Sequence, residues 1–153
     1  MEILRLYKVK LYNLRGHEFG VDFITSNQVK EIDFTTFHAY PDMWHREQSE
    51  EARKMFLQKW ISSHWDDSVK VLGEPLVFGE FEKAKTAPEY SQKVHDDFFS
   101  DVYDVIYNDA ETNRGSFSGG LLWYIMGDGI KSYYDEYKIV LSQDLIMTTV
   151  IKK

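Results

Sequence analysis

A long helical pattern that runs straight into a short apolar strand restricts this chain more than any other feature of its sequence. From Ser49 to Leu72, Ala52, Phe56 and Trp60 recur at every fourth position. Leu57, Ile61, Trp65 and Val69 do the same, and together they predict a helix with a broad apolar face. Ser49 is a suitable cap, and Glu50 and Glu51 suit the positive end of the helix dipole. Gly73 suits the left-handed residue that closes a helix, and Pro75 forbids continuation. The chain then enters Pro75-Leu76-Val77-Phe78-Gly79-Glu80-Phe81, whose apolar core is too short for a helix and reads as a buried strand. A β-rich run, Ile32 to Phe37, precedes the helix. Strand, long helix and strand make a βαβ unit, so the two strands are expected to be parallel.

The pattern repeats downstream. A second helix is expected from Ser91 to about Tyr107, with Val94, Phe98, Val102 and Val105 or Ile106 along one side. Between the units, Glu82 to Tyr90 reads as a polar loop and Asn113-Arg114-Gly115 as a turn. Gly119-Gly120-Leu121-Leu122-Trp123-Tyr124 reads as a third buried strand, followed by a Gly127-Asp128-Gly129 loop. Tyr137 to Leu141 and a short helix from Ser142 complete the tail, and Gly20 to Asn27 reads as a short helix or turn. The fold class is therefore α/β. Each strand ends in a side chain able to do chemistry or bind: His38 and Tyr40, then Glu80, then Trp123. Locally, Glu80 could equally be a surface residue closing a strand, and His38 with Tyr40 a satisfied core pair. Three such residues at the same end of consecutive strands suggest the rim of a (β/α)8 barrel. A whole barrel takes about 250 residues and eight units, and three are visible here.

Composition narrows the function. A net charge of −7 argues against a nucleic-acid partner, because phosphate binding needs a basic surface. No apolar run approaches the roughly 20 residues needed to span a bilayer, so no membrane partner is expected. The absence of cysteine rules out disulfides and thiolate metal sites. The first residues, with Arg5, Lys8, Lys10 and Arg15 interrupting the apolar positions, lack the apolar core of a secretory signal peptide. Aromatic residues make up 16% of the chain, a load suited to a core and to clefts that stack on flat ligand faces.

Taken as a set, the motifs resemble the C-terminal part of plant-type endo-β-1,4-mannanases of glycoside hydrolase family 5. The matching stretches are Gly20-Val21-Asp22-Phe23-Ile24 with Asn27-Gln28, the run from Ile32 to Trp44 that includes Phe37-His38-Ala39-Tyr40-Pro41-Asp42, and Pro75 to Phe81. Gly119-Gly120-Leu121-Leu122-Trp123 and Tyr137 to Ser142 follow in the same order. The resemblance implies a partial (β/α)8 barrel, about strands six to eight, over residues 19–153, with residues 1–18 a divergent leader. It implies hydrolysis of internal β-1,4-mannosidic bonds with retention of configuration, no cofactor, no metal, and a mannan polysaccharide or oligosaccharide as substrate. By position, Glu80 matches the family's nucleophile. His38 and Tyr40 match the pair that contacts substrate and nucleophile, and Trp123 matches the aromatic under the sugar at the cleavage point. An extracellular or cell-wall location also follows from the resemblance.

Two departures shape the expectations. The family's acid/base lies in an Asn-Glu-Pro motif, which does not occur in this chain. Glu82 stands where the family has glycine; it is expected to be a solvated loop residue, the alternative being that it replaces the missing carboxylate. The chain alone is thus expected to be inactive, and a non-catalytic carbohydrate-binding remnant is the rival reading. An open sheet with free edges, and aromatics such as Phe37 and Trp123 near a half-built interior, points to self-association.

Overall fold

The computed structural model describes residues 22–112, 116–123 and 125–150. The leader, the Asn113–Gly115 turn and Tyr124 lie outside the described residues. The elements, in order, are helix α1 (Phe23–Asn27), strand β1 (Thr35–Ala39), helix α2 (Pro41–Trp44), helix α3 (Glu50–Asp67), strand β2 (Leu76–Phe81) and helix α4 (Gln92–Thr112). Strand β3 (Phe117–Leu122), the short strands β4 (Ile125–Met126) and β5 (Ile139–Val140), and helix α5 (Leu145–Val150) follow.

β1, β2 and β3 form one sheet in that order, and both pairings are parallel. The βαβ expectation therefore holds twice over. The helices lie on one face of the sheet, where Phe37, Leu76, Phe78, Phe81 and Phe117 meet side chains of α3 and α4 in a single core. Phe37 is stacked on Phe78 at 4.3 Å and is only 4% exposed, so it belongs to this helix-side core rather than to an open interior. On the opposite face Thr36 and His38 are exposed.

The helix read from Ser49 is confirmed in detail. The Ser49 hydroxyl accepts from the Ala52 amide, and the helix passes through a π-helical turn, Ser68–Leu72, before Gly73 closes it at φ 78°. The buried Ser68 hydroxyl lies 2.6 Å from Thr35 Oγ1 and donates to the Glu74 carbonyl, tying the entry of β1 to the approach to β2. Three patterns are displaced: β3 runs Phe117–Leu122 rather than from Gly119, and it is buried at Phe117 while Leu121 is exposed. β1 begins at Thr35 rather than Ile32, leaving Phe34 exposed, and α4 turns Phe98, Phe99, Val102 and Ile106 inward while Val105 faces out. The pairing of β4 with β5 into a second parallel sheet had no sequence signal, because two-residue strands are too short to show a period.

Candidate active site

Local backbone chemistry brings the strand ends together. Along β1 and β2 the pairing runs Thr35 with Leu76, Thr36 with Val77 and Phe37 with Phe78, then jumps to His38 with Glu80 and Ala39 with Phe81. Gly79 is the extra residue of a bulge. Such an insertion bends its strand and re-aims the next side chain. Phe78 and Phe81 consequently both face the helices, and Glu80 is carried level with His38. A Cβ at Gly79 would fall 2.9 Å from His38 Nε2, so glycine makes room for the imidazole to lie over the bulged backbone.

Glu80 is the centre of the group. The Tyr40 hydroxyl donates to Glu80 Oε2 at 2.7 Å, and His38 Nδ1 lies 3.2 Å from the same oxygen. Tyr40 stands between β1 and α2, with Pro41 as the first residue of that helix. Burial, the bond to Glu80 and its charge push the Tyr40 phenol far above its ordinary range, so it stays protonated as a donor. The indole N–H of Trp60 donates to the His38 carbonyl at 2.8 Å, fixing the end of β1 to α3.

An aromatic group surrounds Tyr40. Its ring meets Trp44, Tyr137 and Trp123 edge to face, with centroids 6.3, 5.8 and 6.4 Å away. Trp123 is 41% exposed and the His38 side chain 47%, while the Glu80 side chain keeps 26%, so the carboxylate can be reached from solvent beside a partly open indole face. The four residues singled out from the sequence thus converge: Glu80, His38 and Tyr40 by direct contact, and Trp123 through the Tyr40 ring. A cavity of about 360 Å³ between α3 and α4 lies elsewhere and is lined by neither Glu80 nor His38.

Behind the site lies a buried ionic cluster with no sequence motif to mark it. Asp42, Arg53 and Lys83 are almost wholly buried. Lys83 Nζ donates to Asp42 Oδ1 at 2.8 Å and to Glu50 Oε2 at 2.6 Å. Arg53 contacts Asp42 at 3.1 Å and Glu50 at 2.8 Å, and donates to the Gln48 and Pro88 carbonyls. Asp42 Oδ2 accepts from the Ala84 amide. Two cations balance two anions, and the cluster joins α2, next to Tyr40, to α3 and to the segment leaving β2. The supposed polar loop therefore begins inside the protein.

Glu82 overturns its expectation. It is 0% exposed, with Oε1 accepting from the Lys83 amide at 3.0 Å and Oε2 without a partner. Burial pushes its carboxyl up to about 8. A carboxyl sealed from solvent cannot reach the oxygen of a glycosidic bond in an open cleft, so Glu82 is no substitute for the missing acid/base.

No family model matches the chain. It is 42% identical over 129 residues to mannan endo-1,4-beta-mannosidase 5 of Solanum lycopersicum, a match that covers 84% of this chain and 31% of that protein. Among solved structures it resembles the endo-beta-1,4-mannanase of Thermotoga petrophila, at 26% identity and a TM-score of 0.62 over 87% of this chain and 28% of the other. The glycoside hydrolase family 5 mannosidase of Rhizomucor miehei gives a TM-score of 0.71 at 20% identity, over 86% of this chain and 40% of the other, and supports the fold. The chain spans about a third of the length of the curated relatives it matches.

Proposed function

This chain belongs to the mannan endo-1,4-beta-mannosidases of glycoside hydrolase family 5, as a partial barrel matching their C-terminal part, and from that premise we propose that it carries the nucleophile side of a retaining β-mannan hydrolase. The observation that carries this reading is the convergence of Tyr40 and His38 on one oxygen of Glu80. Two contacts on Oε2 hold the carboxylate in one orientation and leave Oε1 to attack an anomeric carbon. Pre-positioning of this kind supplies rate by fixing the attacking atom before reaction. As the glycosyl-enzyme bond forms, the glycosidic C–O bond breaks, negative charge leaves the carboxylate, and the departing sugar oxygen takes its proton from a second carboxyl. Trp123 offers an indole face on which the sugar at the cleavage point stacks.

Retention requires a second carboxyl about 5–5.5 Å away, acting first as acid and then as base. Glu82 is sealed in and does not serve. The second group comes from a segment that this sequence does not contain, so the chain alone supplies binding and a nucleophile without turnover. Loss of a general acid removes about 10²- to 10⁴-fold of rate.

The test is co-refolding of the chain with an N-terminal fragment, strands one to five, of a related mannanase. Reducing ends released from mannan are then measured. Neither part alone is expected to act, and the complex is. Glu80→Ala should abolish the restored activity, and Tyr40→Phe should lower it by about 10- to 100-fold, the value of a hydrogen bond to a charged group. Restored activity that survives Glu80→Ala refutes the assignment. A complex that binds mannan oligosaccharides without turnover favours the carbohydrate-binding reading.

A further inference from the structure

Where α4 begins, three titratable side chains that the proposed hydrolysis does not use are drawn together. His95 and Asp96 sit in the first turns of α4, and Asp144 precedes α5; all three are buried, His95 at 0% exposure. One donor atom from each lies within 4.8 Å of the others. The arrangement of His95 is specific. Its ring is held between Tyr90 and Phe99, at centroid distances of 6.2 and 4.9 Å. Nδ1 lies 3.3 Å from Asp96 Oδ1, an oxygen that also accepts from Gln92 Nε2 at 2.9 Å.

That contact sets the tautomer. With Nδ1–H donated to a carboxylate, Nε2 carries the lone pair, and Nε2 is buried without a hydrogen-bond partner. Buried polar atoms are nearly always paired, so an orphan of this kind calls for a ligand. Burial lowers the His95 pKa, which keeps the imidazole neutral near neutral pH. A neutral imidazole whose other nitrogen is held by a carboxylate is the arrangement that orients histidine toward a metal ion. Asp144 uses Oδ1 to cap α5 through the Met147 amide at 3.3 Å, which leaves Oδ2 for another partner. Lys85 acts on Asp144 from the loop after β2 but is itself disfavoured as a cation by burial.

We propose that His95, Asp96 and Asp144 form a binding site for a divalent transition-metal ion, zinc above all. An imidazole and a carboxylate as direct donors, without a thiolate, suit zinc, and they prefer it to manganese by the usual order of affinities. Nε2 and Asp144 Oδ2 bind the ion directly, Asp96 holds the ring, and water completes the coordination. The ion would join the start of α4 to the segment that leads into α5, a structural role separate from Glu80.

The experiment is calorimetric titration of zinc into the chelator-stripped full chain, with thermal unfolding followed alongside. We expect one ion per chain and a higher melting temperature at saturating zinc. Asp144→Asn and His95→Gln should each weaken binding by tenfold or more, with circular dichroism verifying that the variants fold. Manganese should bind more weakly than zinc. Absence of binding up to millimolar zinc overturns the proposal, as does binding that neither substitution weakens. Should a variant fail to fold, cobalt(II) is added to the unsubstituted chain and the His95 ring protons are followed by NMR. Paramagnetic displacement of those signals supports the site, and unmoved signals refute it.

Discussion

Replacing Glu82 by glutamine should remove a pH dependence of stability that spans the neutral range. The carboxyl is lifted from 4.5 to about 8 because the folded chain seals it from water. Between those values the folded protein keeps a proton that the unfolded chain releases, so stability falls as pH rises. Each pH unit contributes about 1.4 kcal/mol, and the whole interval amounts to about 5 kcal/mol at most, fully present below pH 4.5 and lost by about pH 8. A domain of this size is stable by only about 5–15 kcal/mol, so this one side chain weighs heavily in mild alkali. His64 works in the opposite sense. Burial among Phe23, Phe37 and Trp60 lowers it from 6.5 to about 4, so its contribution grows by about 3 kcal/mol as pH rises through that interval. The two slopes oppose each other up to pH 6.5, and Glu82 acts without that opposition from there to pH 8. Glutamine has the same shape and still accepts from the Lys83 amide, so burying its amide adds an offset without a slope. The assay is urea unfolding of both proteins from pH 5 to 9, plotted as the difference in stability. That difference should move by several kcal/mol in favour of Glu82→Gln as pH rises, with His64 cancelling. A difference that is flat with pH refutes the sealed, protonated carboxyl.

Arg53→Ala should destabilise by about 3–5 kcal/mol in urea unfolding, because it leaves the buried Asp42 and the partly exposed Glu50 facing Lys83 as their remaining cation within the cluster; a loss below 1 kcal/mol would show the cluster to be solvated. Gly120→Ala should cost about 1–3 kcal/mol, since its Cβ would come within 2.8 Å of Ile106 Cδ1 and 3.0 Å of the Phe81 ring; an unchanged melting temperature contradicts that packing. The purified chain should self-associate through the edges of β1 and β3, beside which Phe34 and Leu121 are exposed. A single monomer peak in light scattering, with cooperative thermal unfolding, opposes this.

What could be read from the sequence was what repeats or stops. The fourfold recurrence in α3, its serine cap and its closing glycine are local, and the structure reproduces each of them. The convergence of Glu80, His38 and Tyr40 was legible through their order along successive strands and through the family resemblance of the motifs that carry them. The bulge that aligns them was not, because an extra residue in a strand shows itself only against its partner. Arg53 lies on the buried face of α3, and Lys83 and Glu82 directly follow a strand. Charged residues in such places read as solvent-facing until their partners, some 40 positions away for Asp42 and Lys83, are known. On α4 the choice between Val105 and Ile106 turned on rotation about the helix axis, which tertiary packing decides in favour of Ile106.

The ionic cluster behind Tyr40 bears on how the protein meets salt. The surface pairs Lys70–Asp66 and Lys93–Asp97 are wetted on both sides, and dissolved ions weaken such pairs as their screening length shrinks from about 10 Å at 0.1 M to about 3 Å at 1 M. Asp42, Arg53 and Lys83 are shielded from that atmosphere by the protein around them. Rising ionic strength should therefore loosen the clasps on the helix surfaces while the framework that holds Tyr40 against Glu80 keeps its shape. The support behind the cleft is insulated from the surrounding electrolyte, and brine would wear at the outside of the molecule first.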